Sequence, residues 1–154
     1  MENLYNILSK SKSFLTTLIL IFSLNVAFAQ NVNVVATIGT LTGTYPTLNN
    51  CFTAINNGTH GGNITITIVN NTTEPSTPIP LNASNVVLSN YNNILIKPSG
   101  NVIVNASATR ITNRSILEFN GADNTTIDGD DANTTGARNL PFSSGFATVL
   151  NVAH

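Results

Sequence analysis

The sequence predicts an all-β protein whose short strands stack as a parallel β-solenoid. After residue 29 the chain holds 22 Asn and 19 Thr among abundant Val, Ile and Leu, a composition typical of short strands joined by tight turns. Similar strand phrases also return along the chain, with 29 residues from Leu88 to Leu117 and 33 from Leu117 to Leu150. Intervals of this length indicate solenoids or arrays. A β-sandwich with a helix packed on its side is the alternative.

The N-terminus has the organisation of an export signal. Two lysines precede an apolar run, Phe14–Leu24, and the small-x-small triplet Ala27-Phe28-Ala29 follows it, as in signals that are cleaved during secretion. The run is well short of the roughly 20 apolar residues of a membrane span, so an anchor is the weaker interpretation. We therefore expect residues 1–29 to be removed and residues 30–154 to remain as the N-terminal portion of an extracellular β-helix domain, secreted or held at the cell surface.

Charge and cysteine content exclude two classes of protein. The expected mature chain has four scattered cations and six acidic residues, and nucleic-acid binding needs clustered Lys and Arg. Cys51 is the single cysteine, so the chain is not a disulfide scaffold.

One segment departs from the strand pattern. Between Pro46 and Gly58, apolar residues follow the spacing i, i+3, i+4, i+7 of one helix face. These residues are Leu48, Cys51, Phe52 and Ile55. The pattern predicts a three-turn amphipathic helix that covers the open first coil of the solenoid, with Cys51 as a small buried hydrophobe.

The remaining apolar runs predict strands. They are Val32–Ile38, Asn63–Val69, Val86–Leu88, Ile94–Ile96, Val102–Val104, Ile116–Phe119, Thr125–Ile127 and Ala147–Val152. The run Ile64–Ile68 alternates Ile with Thr, which predicts one buried and one polar face. Ranks of Thr also occur on ice-binding faces, but a single run favours an ordinary sheet face. Asp130–Gly145 is expected to loop outward.

Three phrases carry a resemblance to a known family. Ile38–Thr59, Ile94–Pro98 and Phe119–Gly129 resemble the first part of large surface proteins of Bacteroidota, which are similar to right-handed parallel β-helix, pectate-lyase-like families. The resemblance spans roughly residues 37–154 and implies a fold and a location rather than an activity. Such relatives are often much longer and end in a sorting domain for type IX secretion.

No residue is assigned a catalytic, cofactor-binding or metal-binding role. Asp128, Asp130 and Asp131 offer carboxylates that Ca²⁺ favours, but they lack the full spacing of a calcium loop, and a turn after a strand is the preferred interpretation. His60 lies in Gly58–Gly62 and is expected in an exposed turn. A nucleophile elbow and a phosphate loop are both absent from the sequence.

These observations favour a non-enzymatic scaffold of the cell exterior, adhesin-like or glycan-contacting, without a cofactor. The alternative is the N-terminal fragment of a β-helix polysaccharide lyase or glycoside hydrolase whose catalytic coils follow His154. The expected partners are surface glycans, or another copy of the chain at an open β-edge. Because the chain ends within a strand phrase, we expect the native protein to continue past His154.

Overall fold

A computed structural model of the protein describes residues 29–109, 115–131, 139–143 and 150–153. The predicted export signal lies outside these residues. The described chain forms one helix, α1 (Leu48–Asn56), and eleven strands. The strands are β1 (Val32–Gly39), β2 (Thr42–Tyr45), β3 (His60–Ile68), β4 (Thr72–Glu74), β5 (Leu81–Asn82), β6 (Tyr91–Pro98), β7 (Val104–Ala106), β8 (Leu117–Asn120), β9 (Thr125–Ile127), β10 (Phe142–Ser143) and β11 (Leu150–Ala153).

The strands are arranged in three sheets. The largest has the order β2-β1-β3-β6-β9, and the two smaller ones have the orders β10-β7-β4 and β11-β8-β5. In the large sheet, β1 runs antiparallel to both β2 and β3, whereas β3, β6 and β9 are parallel. Strand pairs in the two small sheets are parallel.

The predicted right-handed parallel β-helix is therefore wrong. The large sheet is mixed, and the described strands form several small sheets without a regular solenoid. The chain reverses in a tight turn after β1, where Gly39 has a φ of 75° and the Ala36 N–H donates to the Leu41 carbonyl oxygen over 2.8 Å. Alternation of apolar and polar residues is the same in parallel and antiparallel strands. The sequence pattern therefore could not show the direction of β1 or β2.

The predicted repeat is wrong at its first position. Leu117 pairs with Leu150 in the parallel β8–β11 ladder, but Leu88 is in a turn and 62% exposed. The strand predicted at Val86–Leu88 is absent because Asn85 and Val87 have φ angles of 67° and 57°, which no extended strand contains. Most of the predicted outward loop, Asp130–Gly145, lies outside the described residues, and its described end includes β10.

The other predicted strands overlap observed ones, and residues 147–149 of the last predicted strand lie outside the described residues. The short strands β2, β4, β5 and β10 were not predicted from the sequence. These elements contain two to four residues, too few for an alternating pattern to be recognised.

The predicted helix is confirmed at Leu48–Asn56. It begins at Leu48 and not at Pro46 because Thr47 is extended, and its Oγ1 accepts the Asn50 N–H over 3.1 Å. This bond satisfies one of the free N–H groups of the first turn. Within the described residues, no helix is long and apolar enough to cross a membrane.

Helix α1 packs its apolar face against the sheets. It contacts strands of all three sheets, namely β1, β2, β3, β4 and β5. Its predicted apolar face is buried, and the Phe52 ring lies 5.9 Å from that of Phe119 between centroids. Burial of each large side chain contributes about 2 kcal/mol. The helix thus joins three sheets, and its predicted role as the cover of a solenoid's first coil is wrong together with that fold.

Candidate binding face

The outward face of the five-stranded sheet is the candidate functional site. Alternate residues of each strand point inward, where Val34, Ile66 and Ile96 are at most 1% exposed. Their neighbours in sequence point away from the core. Pairing across the sheet aligns these outward residues in rows that cross several strands.

The first row crosses all five strands. Its members, paired one to the next, are Thr42, Val35, Thr65, Leu95 and Thr126. The second row crosses four strands, from Thr44 through Asn33 and Thr67 to Lys97. Neighbouring strands lie about 4.8 Å apart, so the rows present closely spaced hydroxyl, amide and methyl groups. Threonine ranks on this face are broken, because Thr65 lies between Val35 and Leu95.

A third row is held by side-chain hydrogen bonds. Asn63 and Asn93 are parallel partners, and the Asn93 Nδ2 donates to the Asn63 Oδ1 over 2.9 Å. The Thr37 Oγ1 accepts the backbone N–H of Asn63 over 2.8 Å. These bonds fix the positions of the amides that the face presents.

An open depression lies at the β1–β2 side of the face. Its volume is about 450 Å³, and it is lined by Asn33, Val34, Val35, Thr42, Gly43 and Thr44. The lining contains no charged side chain. Gly43 leaves room for the His60 ring, because a Cβ there would lie 2.8 Å from the His60 Nε2.

The aspartates singled out in the sequence form a turn. The Asp128 Oδ1 accepts the Asp130 N–H over 3.0 Å, as in an Asx turn. The Asp131 Oδ2 accepts the Gly100 N–H over 2.8 Å, and the Asp131 N–H donates to the Asn139 Oδ1 over 3.2 Å. Within the described residues, no group of three His, Cys, Asp or Glu side chains is placed to hold a metal ion.

His60 lies in the interior, and its predicted place in an exposed turn is wrong. It begins β3 and is fully buried. Its Nδ1 is 2.6 Å from the Thr40 carbonyl oxygen and its Nε2 is 2.6 Å from the Tyr45 Oη. A carbonyl oxygen only accepts, so Nδ1 carries a proton and donates to Thr40, while Nε2 shares a hydrogen bond with the Tyr45 hydroxyl. The pair therefore joins β2 to β3.

Glu74 is a buried carboxylate that the sequence analysis did not single out. It ends β4 with 1% of its surface exposed. Its Oε1 accepts the Leu48 N–H over 3.0 Å and its Oε2 accepts the Asn49 N–H over 2.9 Å. Burial raises the pKa of Glu74, and these two backbone hydrogen bonds oppose the rise. Glu74 thereby connects the N-terminus of α1 to the sheet β10-β7-β4 by hydrogen bonds.

Cys51 is buried as predicted. Burial, and then the nearby Glu74, raise the pKa of the Cys51 thiol far above its ordinary value. A thiol that stays protonated is a poor nucleophile and a poor metal ligand.

Asparagine pairs are a feature that composition alone did not indicate. Besides Asn63 with Asn93, side-chain amides are hydrogen-bonded between Asn82 and Asn120 and between Asn101 and Asn139. The partners are 30 or 38 residues apart in sequence. Recurrence of Asn at such separations is a signal that could have suggested stacked amides in place of turns alone.

A comparison with known protein families, curated proteins and solved structures finds no match for this chain. The resemblance to Bacteroidota surface proteins therefore stays a prediction from the sequence.

Proposed function

We propose that this chain is a non-enzymatic protein of the cell exterior that contacts neutral glycans through the outward face of its five-stranded sheet. The observation that carries the proposal is the set of rows of Thr and Asn on that face. Sugars offer many hydroxyl groups and few charges, and hydroxyl and amide side chains both donate to and accept from such groups.

The electrostatics of the face favour a neutral ligand. Lys97 is the one charged residue within the rows described above, and it is half-buried at the end of the second row. Val35 and Leu95 add apolar contact area between the hydroxyl groups, which suits the C–H surfaces of a sugar ring. Shallow polar contacts of this kind suit an extended glycan chain that spans several strands. They suit a small molecule less well, because such a ligand is usually held in a deep cavity.

The non-enzymatic part of the proposal is supported by the placement of three reactive side chains. Glu74, His60 and Cys51 are all buried, and the first two are engaged by backbone or hydroxyl groups of the fold. Their observed partners hold secondary-structure elements together. The location outside the cell is supported by the export signal predicted for residues 1–29.

A glycan array followed by calorimetric titration of the best neutral polysaccharide tests the proposal. The decisive variant combines Thr65→Val with Thr67→Val, which removes two hydroxyl groups and keeps the side-chain shape. Each hydrogen bond contributes about 1 kcal/mol, so the double variant should bind at least about tenfold more weakly. Thr73→Val is the matched control, because Thr73 is exposed on the separate sheet β10-β7-β4. This variant should bind the polysaccharide as tightly as the unchanged protein does.

Two results would contradict the proposal. One is the absence of binding to every neutral glycan on the array. The other is binding that the double variant leaves unchanged, because the ligand would then lie on another surface.

A further inference from the structure

Five exposed aliphatic side chains form a second surface, which we call the aliphatic patch. They belong to the end of β1, to the β1–β2 turn and to the loop before β6. Their exposed fractions are 54% for Ile38, 56% for Leu41, 41% for Val86, 85% for Val87 and 62% for Leu88.

The backbone of residues 58–62 joins the two halves of the patch. A Cβ atom at Gly62 would lie 2.9 Å from the Ile38 Cγ1, and one at Gly58 would lie 3.4 Å from the Leu88 Cβ. The Thr59 carbonyl oxygen accepts the Thr40 N–H over 2.8 Å. The turn and the loop therefore flank one short strip, which contains three glycines, the buried His60 and the exposed Thr59.

The loop holds its apolar residues in water in a defined conformation. The Asn85 N–H donates to the Ser89 carbonyl oxygen over 2.7 Å, and the Ser89 N–H donates to the Val86 carbonyl oxygen over 3.0 Å. Val87 has a φ of 57°, a left-handed conformation that costs about 1–2 kcal/mol for a residue with a Cβ. A β-branched residue in this conformation is an outlier that raises the question of function.

The charges near the patch favour an uncharged partner. The segments that form it, 36–41, 58–62 and 83–90, contain no Asp, Glu, Lys or Arg. A membrane surface rich in anionic lipid attracts clusters of Lys and Arg, and these segments supply none. The patch is best covered by another uncharged aliphatic surface. The same patch on a second copy of this chain has that composition.

The area of the patch agrees with a pair of copies. From the exposed fractions, the five residues present roughly 500 Å², at the upper end of what a monomer usually exposes in one patch. Two copies face to face would remove about 1,000 Å² from water, which is the lower bound for a specific interface.

We propose that two copies of this chain associate through the aliphatic patch about a two-fold axis. In such a pair the same residues contact one another from both sides, and the strained loop presents Val87 and Leu88 to the partner copy. The interface differs from the open β-edge considered from the sequence, and it leaves the rows of Thr and Asn on the large sheet facing solvent.

Sedimentation equilibrium of the purified protein over a wide concentration range tests the proposal. The decisive variant combines Val87→Asn with Leu88→Ser, because Asn tolerates the left-handed conformation and the loop should keep its shape. Loss of two buried aliphatic side chains should raise the dimer dissociation constant by roughly 100-fold. Ile103→Asn is the matched control, since Ile103 is 37% exposed outside the patch, and it should leave the dissociation constant unchanged.

Circular dichroism of both variants establishes that each is folded. A dimer that the double variant dissociates and the control retains supports the proposal. The proposal is overturned by an unchanged protein that stays monomeric at all concentrations, or by an assembly that the double variant retains. Equal weakening by the control would overturn it as well.

Discussion

The N-terminus of α1 and the aliphatic patch depart from the usual placement of side chains in opposite directions. At the helix, a carboxyl group is buried, and each of its oxygens accepts a backbone N–H within 3.0 Å. In the patch, five aliphatic side chains face water, and the most exposed of them, Val87, has a strained backbone.

The difference between the two regions indicates what each is for. Burial of a polar group is unfavourable unless hydrogen bonds compensate it, and Glu74 has such bonds within the chain. Its role is therefore structural. Exposure of apolar groups is relieved only by another surface, and the residues that the structure describes supply no such cover for Val87. The patch is therefore the region where we expect function to depend on a second molecule.

The largest predicted effect is at the helix. Glu74→Ala removes both acceptors of the Leu48 and Asn49 N–H groups, and we expect the free energy of unfolding to fall by about 3 kcal/mol. Glu74→Gln keeps one acceptor and should lose about half as much. Thr73→Ala, at an exposed neighbouring position, should change it by less than about 0.5 kcal/mol. Urea denaturation of the three variants measures these differences, and equal small losses for all three would show that the carboxylate does not hold the helix.

The pH dependence of stability is the next effect in size. Burial raises the pKa of Glu74 in the folded protein above its ordinary value of 4.5. At a pH between the ordinary pKa and the raised pKa of the folded protein, the folded state binds more protons than the unfolded state. The unfolding free energy therefore falls as pH rises. The contribution of Glu74 to the free energy of unfolding is complete below about pH 4.5. It is lost as the pH rises through the higher pKa that Glu74 has in the folded protein. The difference between the unchanged protein and Glu74→Gln, measured by denaturation from acid to neutral pH, isolates this group. A difference that grows as pH rises would contradict the prediction.

The smallest predicted effect concerns the strained loop and has the opposite sign. Val87→Gly removes the strain of the left-handed conformation but adds the conformational entropy that glycine loses on folding. The first effect should be larger, so the free energy of unfolding should rise by about 0.5 kcal/mol. Val86→Gly lacks this relief, because Val86 does not have a positive φ, and should lower stability by about 0.5–1 kcal/mol. Thermal unfolding in dilute solution compares the two. A loss of stability in both would show that Val87 is not strained.

Features that depend on residues close together in sequence were predicted, and features that depend on distant residues were not. Helix α1 was predicted because an apolar face with period 3.6 is a local property, and the four residues of that face are buried together. The role of His60 was missed because its two partners, Thr40 and Tyr45, lie 20 and 15 residues away. The hydrogen bond between Asp128 and Asp130 spans only two residues, so it depends on local sequence.

The fold class shows the same limit. Alternation marks which residues of a strand face the core, but it does not mark the direction of the neighbouring strand. The repeat was misread at Leu88, because an apolar triplet with turn geometry has the same letters as a short strand. The candidate face was visible in part, as the Thr residues of the Ile64–Ile68 run. Its rows depend on register between β2, β1, β3, β6 and β9.

The sequence by itself therefore determined the β-rich composition, the helix and its buried face, and the scarcity of charged residues, because composition and short-range periodicity set these properties. The tertiary structure decided the direction and order of the strands, the burial of His60 and Glu74, and the placement of Ile38 beside Gly62 and of Leu88 beside Gly58. These properties depend on contacts between residues that are distant in the chain, and the free energy of each contact depends on partners that folding alone brings together.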